Sequence, residues 1–131
     1  MFEVGCSAQV GGDVLVAIPD LGACSASDVL AWITSLPRLD RAVDDTERIA
    51  QLGALERLKS AAAAAQAVVT ADFAASQRAA QRAAGVPADR VGQGVGAQVG
   101  LARRDSPYRG SRHVGLAQAL TSELPATMAA L

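Results

Sequence analysis

The stretch "DTERIAQLGALERLKSAAAAAQAVVTADFAASQRAAQRAA", Asp45 to Ala84, contains no proline and a single glycine, Gly53. Alanine, its commonest residue, has the lowest cost of entering a helix. Apolar or small residues recur at Ile49, Leu52, Leu55, Ala62, Val69, Phe73, Ala80 and Ala84, in steps of three, four or seven. Asp44 and Glu47 have the spacing of a capping box, and Gly85 followed by Val86-Pro87 supplies a stop. The pattern predicts one helix over about 45–84, roughly 60 Å long at 1.5 Å per residue. A small domain cannot bury such a rod end to end. The rod must meet another helix, bend near Ala61–Ala65, or pair with a second copy. The expected fold class is therefore all-α: a long Ala-rich helix with shorter helices packed back on it as a hairpin or bundle.

The whole composition agrees with that reading. The chain has 131 residues, enough for one ordinary domain, and its apolar half is dominated by 29 alanines against four aromatic residues. Alanine buries little area, so a modest core is expected, one that draws on a partner chain or further sequence. Charge is segregated. Residues 1–47 carry eight acids and two bases, a net −6, whereas residues 48–131 carry ten bases and five acids, a net +5. The division expected is an acidic leader, 1–44, and a helical domain, 45–131. A basic body can meet phosphates. Cys6 and Cys24 lack the paired spacing of a zinc or redox motif and read as reduced thiols. There is no signal-peptide pattern at the N-terminus, and the apolar runs fall far short of a membrane span. A soluble cytoplasmic protein is expected, without cofactor or metal.

Within the leader, Asp13–Pro19 ("DVLVAIP") reads as a short strand. "SASDVLAWITSLP" reads as a short helix capped by Ser25 or Ser27 and ended by Pro37, with Trp32 as its core anchor. Beyond the rod, "ADRVGQGVGAQVGLARR" places Val91, Val95, Val99 and Ala102 on one helical face and Gly92, Gly96 and Gly100 along another. "GQGVG" lacks the preceding strand and the lysine of a phosphate loop, so small residues letting two helices touch is the better account. Ser106 and Pro107 start the next helix, whose apolar pattern is Val114, Leu116, Leu120 and Leu124. Pro125 opens another segment, "PATMAAL", inside which the sequence ends, so a C-terminally incomplete domain is expected.

The densest functional chemistry lies in "ARRDSPYRGSRH", Ala102 to His113. Arg103 and Arg104 end one helix, while Arg109 and Arg112 begin the next. Four guanidiniums around a helix N-terminus make a reasonable phosphate site. Base reading has less behind it, because only Tyr108 is available to stack. A plainer reading also fits: arginines near helix ends complement the dipole, or pair with Asp105. His113, the only histidine, has no cysteine or acidic cluster beside it in sequence and suits neither a metal site nor a nucleophile–base pair. No catalytic motif is present.

A family resemblance covers residues from about Leu52 to Leu131. "LERLKSAAAAAQA", "FAASQRAAQRAAGVP", "GVGAQVGLARRDSP" and "SRHVGLAQALTSELPATMAAL" resemble the N-terminal helical domain of unknown function of an actinobacterial family associated with HNH endonucleases, some of them described as 13E12 repeat proteins. In that family the nuclease chemistry resides in a C-terminal His-Asn-His module. The resemblance implies a chain truncated before that module, with no positions for its catalytic residues; His113 matches no nuclease ligand. The resemblance carries no settled role for the helical domain itself. Taken with the arginine corner, the leading expectation is a non-catalytic helical module that binds or positions DNA phosphates through Arg103, Arg104, Arg109 and Arg112, with Tyr108 assisting. Two alternatives stand beside it. One is a helical assembly module, homodimeric through the Ala-rich helix and without nucleic-acid contact. The other is a truncated remnant without activity.

Overall fold

The computed structural model describes residues 23–126 and residue 130. The expected strand at 13–19 and Cys6 lie outside the described residues, as does most of the segment after Pro125. The chain divides into two compact units, Met1–Val43 and Asp44–Leu131. Among the described residues every regular element is helical, and no helix is long and apolar enough to cross a membrane.

In the first unit, α1 spans Ala26–Ser35 and runs into a 3-10 turn, Leu36–Arg38, that contains Pro37. Ser25, not Ser27, is the cap. Its hydroxyl accepts from the Asp28 amide, while the Asp28 carboxylate accepts from the Ser25 amide at 2.7 Å. That side-chain and backbone hydrogen bonding to Ser25 lowers the Asp28 pKa. α1 has no buried residue, and Trp32, expected as a core anchor, is half-exposed along with Val29, Leu30 and Ile33.

The second unit begins with α2, Asp45–Ala83, an unbroken helix of 39 residues and about 58 Å. Asp44 caps it by accepting from the Glu47 amide at 2.8 Å. Its other end closes through Gly85 in the left-handed region, with Val86 N–H donating to the Gln81 carbonyl and Gly85 N–H to that of Arg82. This paired closure satisfies two terminal carbonyls and stops the helix without loss of hydrogen bonds. A 3-10 turn (Ala88–Arg90), α3 (Val95–Ala102) and α4 (Pro107–Ser122) follow.

α4 is the central layer. It packs closely on α3 along one side and on the C-terminal half of α2 along the other, while α3 touches α2 only slightly. The core is small in every sense: Ala74, Val95, Val99 and Val114, with Phe73 against it and Ala67 and Ala117 buried nearby. The face that α2 presents is therefore Ala67, Thr70 and Ala74, not the expected stripe through larger side chains. Val69 is 66 % exposed, Ile49 69 % and Leu52 62 %. Close backbone approach selects the small residues here, because their dispersion contacts accrue only where the axes come near. The same principle holds in α4, where the expected Val114 is buried together with Gly110 and Ala117, while Leu116, and Leu124 beyond the helix end, remain exposed.

Gly92 also departs from its expected place. It precedes α3 in a turn at φ +96°, so it is not on the glycine face, and Val91 likewise lies outside the helix, with Ala102 exposed. The helix contact is made by Gly96, Gly100 and Gly110. A Cβ on Gly110 would collide with the Gly96 carbonyl oxygen and sit 2.5 Å from the Gly100 amide nitrogen; one on Gly100 would lie 2.7 Å from the Ser106 carbonyl oxygen. These are backbone obstacles that no rotamer change relieves. Gly115, in the same helix, has open space where its Cβ would be. Gly110→Ala is thus expected to lower stability by about 3 kcal/mol or more, at the severe end of overpacking. Gly115→Ala should raise it by about 0.5–1 kcal/mol through helix propensity. Urea denaturation of the two variants checks the opposite signs.

Candidate functional site

The corner between α3 and α4 is built by a second left-handed closure. Asp105 N–H donates to the Gly100 carbonyl at 2.7 Å and Arg104 N–H to that of Leu101 at 3.1 Å. Glycine normally takes the left-handed position in such a motif, but here Arg104 occupies it at φ 57°. The chain then turns at once into α4, where the Ser106 hydroxyl caps the helix by accepting from the Arg109 amide and Pro107 occupies its first position. Four arginines are thereby gathered within ten residues, as expected, but they are not equivalent.

Arg103 is held by the scaffold. Its Nη1 lies 2.7 Å from His113 Nδ1 and its Nε 3.7 Å from an Asp105 oxygen, leaving the side chain 31 % exposed. Asp105 also reaches Arg109 Nη1 at 3.5 Å, one turn along α4. Arg109 nevertheless remains 75 % exposed, and an exposed pair of that length is weak. The Arg112 guanidinium sits 6.0 Å over the Tyr108 ring, at the limit of a useful cation–π contact. No hydrogen bond or ion pair holds the Arg104 side chain among the described residues. Arg104, Arg109 and Arg112 therefore project with Tyr108 from the corner, while Arg103 positions it.

His113 ties the corner to the rod. Arginine only donates, so Nδ1 must accept, the ring is neutral, and Nε2 carries the hydrogen given to Thr70 Oγ1 at 3.1 Å. Thr70 is a buried polar residue of α2, 43 positions away in sequence. Both ring nitrogens are consequently engaged in structure. Burial chiefly lowers the His113 pKa, the Arg103 charge adds to that, and Asp105 opposes it.

Two further features have no signal in the residue pattern. Gln81 of α2 clamps the turn before α3, its Oε1 accepting from the Gly92 amide at 2.5 Å and its Nε2 donating to the Gln93 carbonyl at 3.0 Å. The Gly92 amide of "GQGVG" is thereby occupied. Arg78 and Arg82 line an open cleft beside Val86, Ala88 and Val91. Among the described residues no group of three His, Cys, Asp or Glu is placed to hold a metal ion. No protein-family model matches the chain, and no curated protein or solved structure matches it.

A histidine held below its ordinary value in the folded state takes up a proton more readily when unfolded. Its stabilising contribution is complete above about pH 6.5, the ordinary value, and is lost as pH falls through the folded-state value. As His113 is the only histidine, one imidazole resonance followed by NMR should titrate below that ordinary value in the native protein. His113→Gln should flatten the loss of stability on acidification; a midpoint above the ordinary value would contradict the assigned tautomer.

Proposed function

We propose that residues 45–131 are a non-catalytic helical module of an HNH-endonuclease-like protein, acting in the cytoplasm, and that the corner between α3 and α4 binds the phosphate backbone of DNA. The observation that carries this reading is Arg104. A left-handed conformation costs a residue with a Cβ about 1 kcal/mol or more relative to glycine, yet an arginine stands there with its side chain committed to nothing among the described residues. Arg109 and Arg112 extend the same charged surface, and Tyr108 supports Arg112. Phosphate contacts of this kind position a duplex without reading its sequence. Arg103 acts as a positioning residue, through His113 and Asp105. No cutting chemistry is assigned to this chain, because its single histidine spends both ring nitrogens on Arg103 and Thr70.

Arg104→Gly separates this proposal from a purely structural role. The variant should be more stable by about 1 kcal/mol, since glycine suits the left-handed position, while duplex binding weakens and the salt dependence of log K falls by about one. Arg104→Ala, Arg109→Ala and Arg112→Ala together should reduce that slope by about three. Fluorescence anisotropy with a short duplex at several salt concentrations reads both. Absence of binding at low salt, or an unchanged slope, removes the DNA role.

A further inference from the structure

α3 and α4 cover only the C-terminal half of α2, and its buried residues begin at Ala67. Stepping back from buried Thr70 at heptad spacing reaches Gln66, Ala63, Lys59, Glu56, Leu52 and Ile49 in turn. Among these, Ile49 and Leu52 rank with the most exposed large apolar side chains in the chain. This seam, exposed among the described residues, is about 26 Å long over residues 49–66.

The seam is self-complementary in one direction only. Its large residues, Ile49 and Leu52, lie at the N-terminal end, and its small one, Ala63, at the C-terminal end, with Glu56 and Lys59 between them. A parallel pair would set Glu56 against Glu56 and Lys59 against Lys59. An antiparallel pair centred between residues 57 and 58 sets Leu52 over the other copy's Ala63 and Glu56 beside its Lys59. The same register sets Ile49 beside the other copy's Gln66. Glu56 and Lys59 already pair within one helix at 3.0 Å, but both side chains are about 70 % exposed and can reach across. The overlap ends one residue short of Ala67, the first buried residue of the helix.

We propose that this chain self-associates as an antiparallel dimer through the 49–66 seam of α2, independently of the phosphate-binding corner. The two Leu52–Ala63 layers supply the affinity, and the charged pair in the centre fixes direction and register. This seam differs from the alanine run at 61–65, which by itself offers only close approach.

The test is sedimentation equilibrium of the full chain up to about 100 µM, a range that detects dissociation constants in the micromolar regime. The wild type should weigh as a concentration-dependent dimer. Leu52→Asp, at a solvent-exposed position, should weaken it at least about tenfold while the helical circular dichroism is unchanged. Glu56→Lys and Lys59→Glu should each weaken association, and an equal mixture of the two variants should recover wild-type strength, because opposite charges again face each other. A wild-type monomer throughout the range overturns the proposal, as does a dimer indifferent to Leu52→Asp. A mixture tighter than wild type reports a parallel pair and overturns it equally.

Discussion

Gly110 has no room for a side chain, and most of the second unit follows from that constraint. With its Cβ position filled by the Gly96 carbonyl and the Gly100 amide, α4 lies against α3 backbone to backbone. That approach lets two valines of α3, Val95 and Val99, share a core with Val114 and with Ala74 of the rod. A core of valine and alanine releases little free energy per residue, so it holds only while the axes remain close. The short loop between α3 and α4 is a consequence. Asp105 must turn tightly, and its amide closes on the carbonyl of Gly100 itself.

Polar contacts then lock the hairpin to the rod at two places. His113 reaches Thr70 from α4, and Gln81 reaches back from α2 to the turn before α3. In a core so poor in large side chains these hydrogen bonds specify which face of α2 is used, a discrimination that alanine packing alone does not provide. Arg103 belongs to the same network. The arginine corner is therefore anchored to the core through Arg103 and His113, with its outer arginines exposed. In the proposed phosphate-binding role, that anchoring would lower the ordering cost of meeting an extended anion.

The rod and its ends were legible in the sequence because their causes are local. Asp44 caps, alanine propagates, and Gly85 before Val86-Pro87 terminates, each within a few residues of where it acts. The arginine corner was legible for the same reason, down to Ser106 and Pro107 at the start of α4. The face of α2 was not. The stripe of apolar or small residues ran through Ile49, Leu52 and Val69 as well as Phe73; only Phe73 of these packs against the core, and the helix is buried at Ala67, Thr70 and Ala74. Nothing local marks Thr70 among the alanines, since its partner is 43 residues away. The distinction between Arg103 and its neighbours was hidden in the same way, because it depends on His113 being held neutral across three helices.

The proposed phosphate-binding role of the corner is tested most directly by adding a short duplex to isotope-labelled protein at low salt and mapping the perturbed resonances. The account predicts that the guanidinium signals of Arg104, Arg109 and Arg112 and the amides around Asp105 shift together, with Arg103 and the N-terminal half of α2 unmoved. Shifts confined to Arg78 and Arg82 in the neighbouring cleft, or none at all, would contradict it.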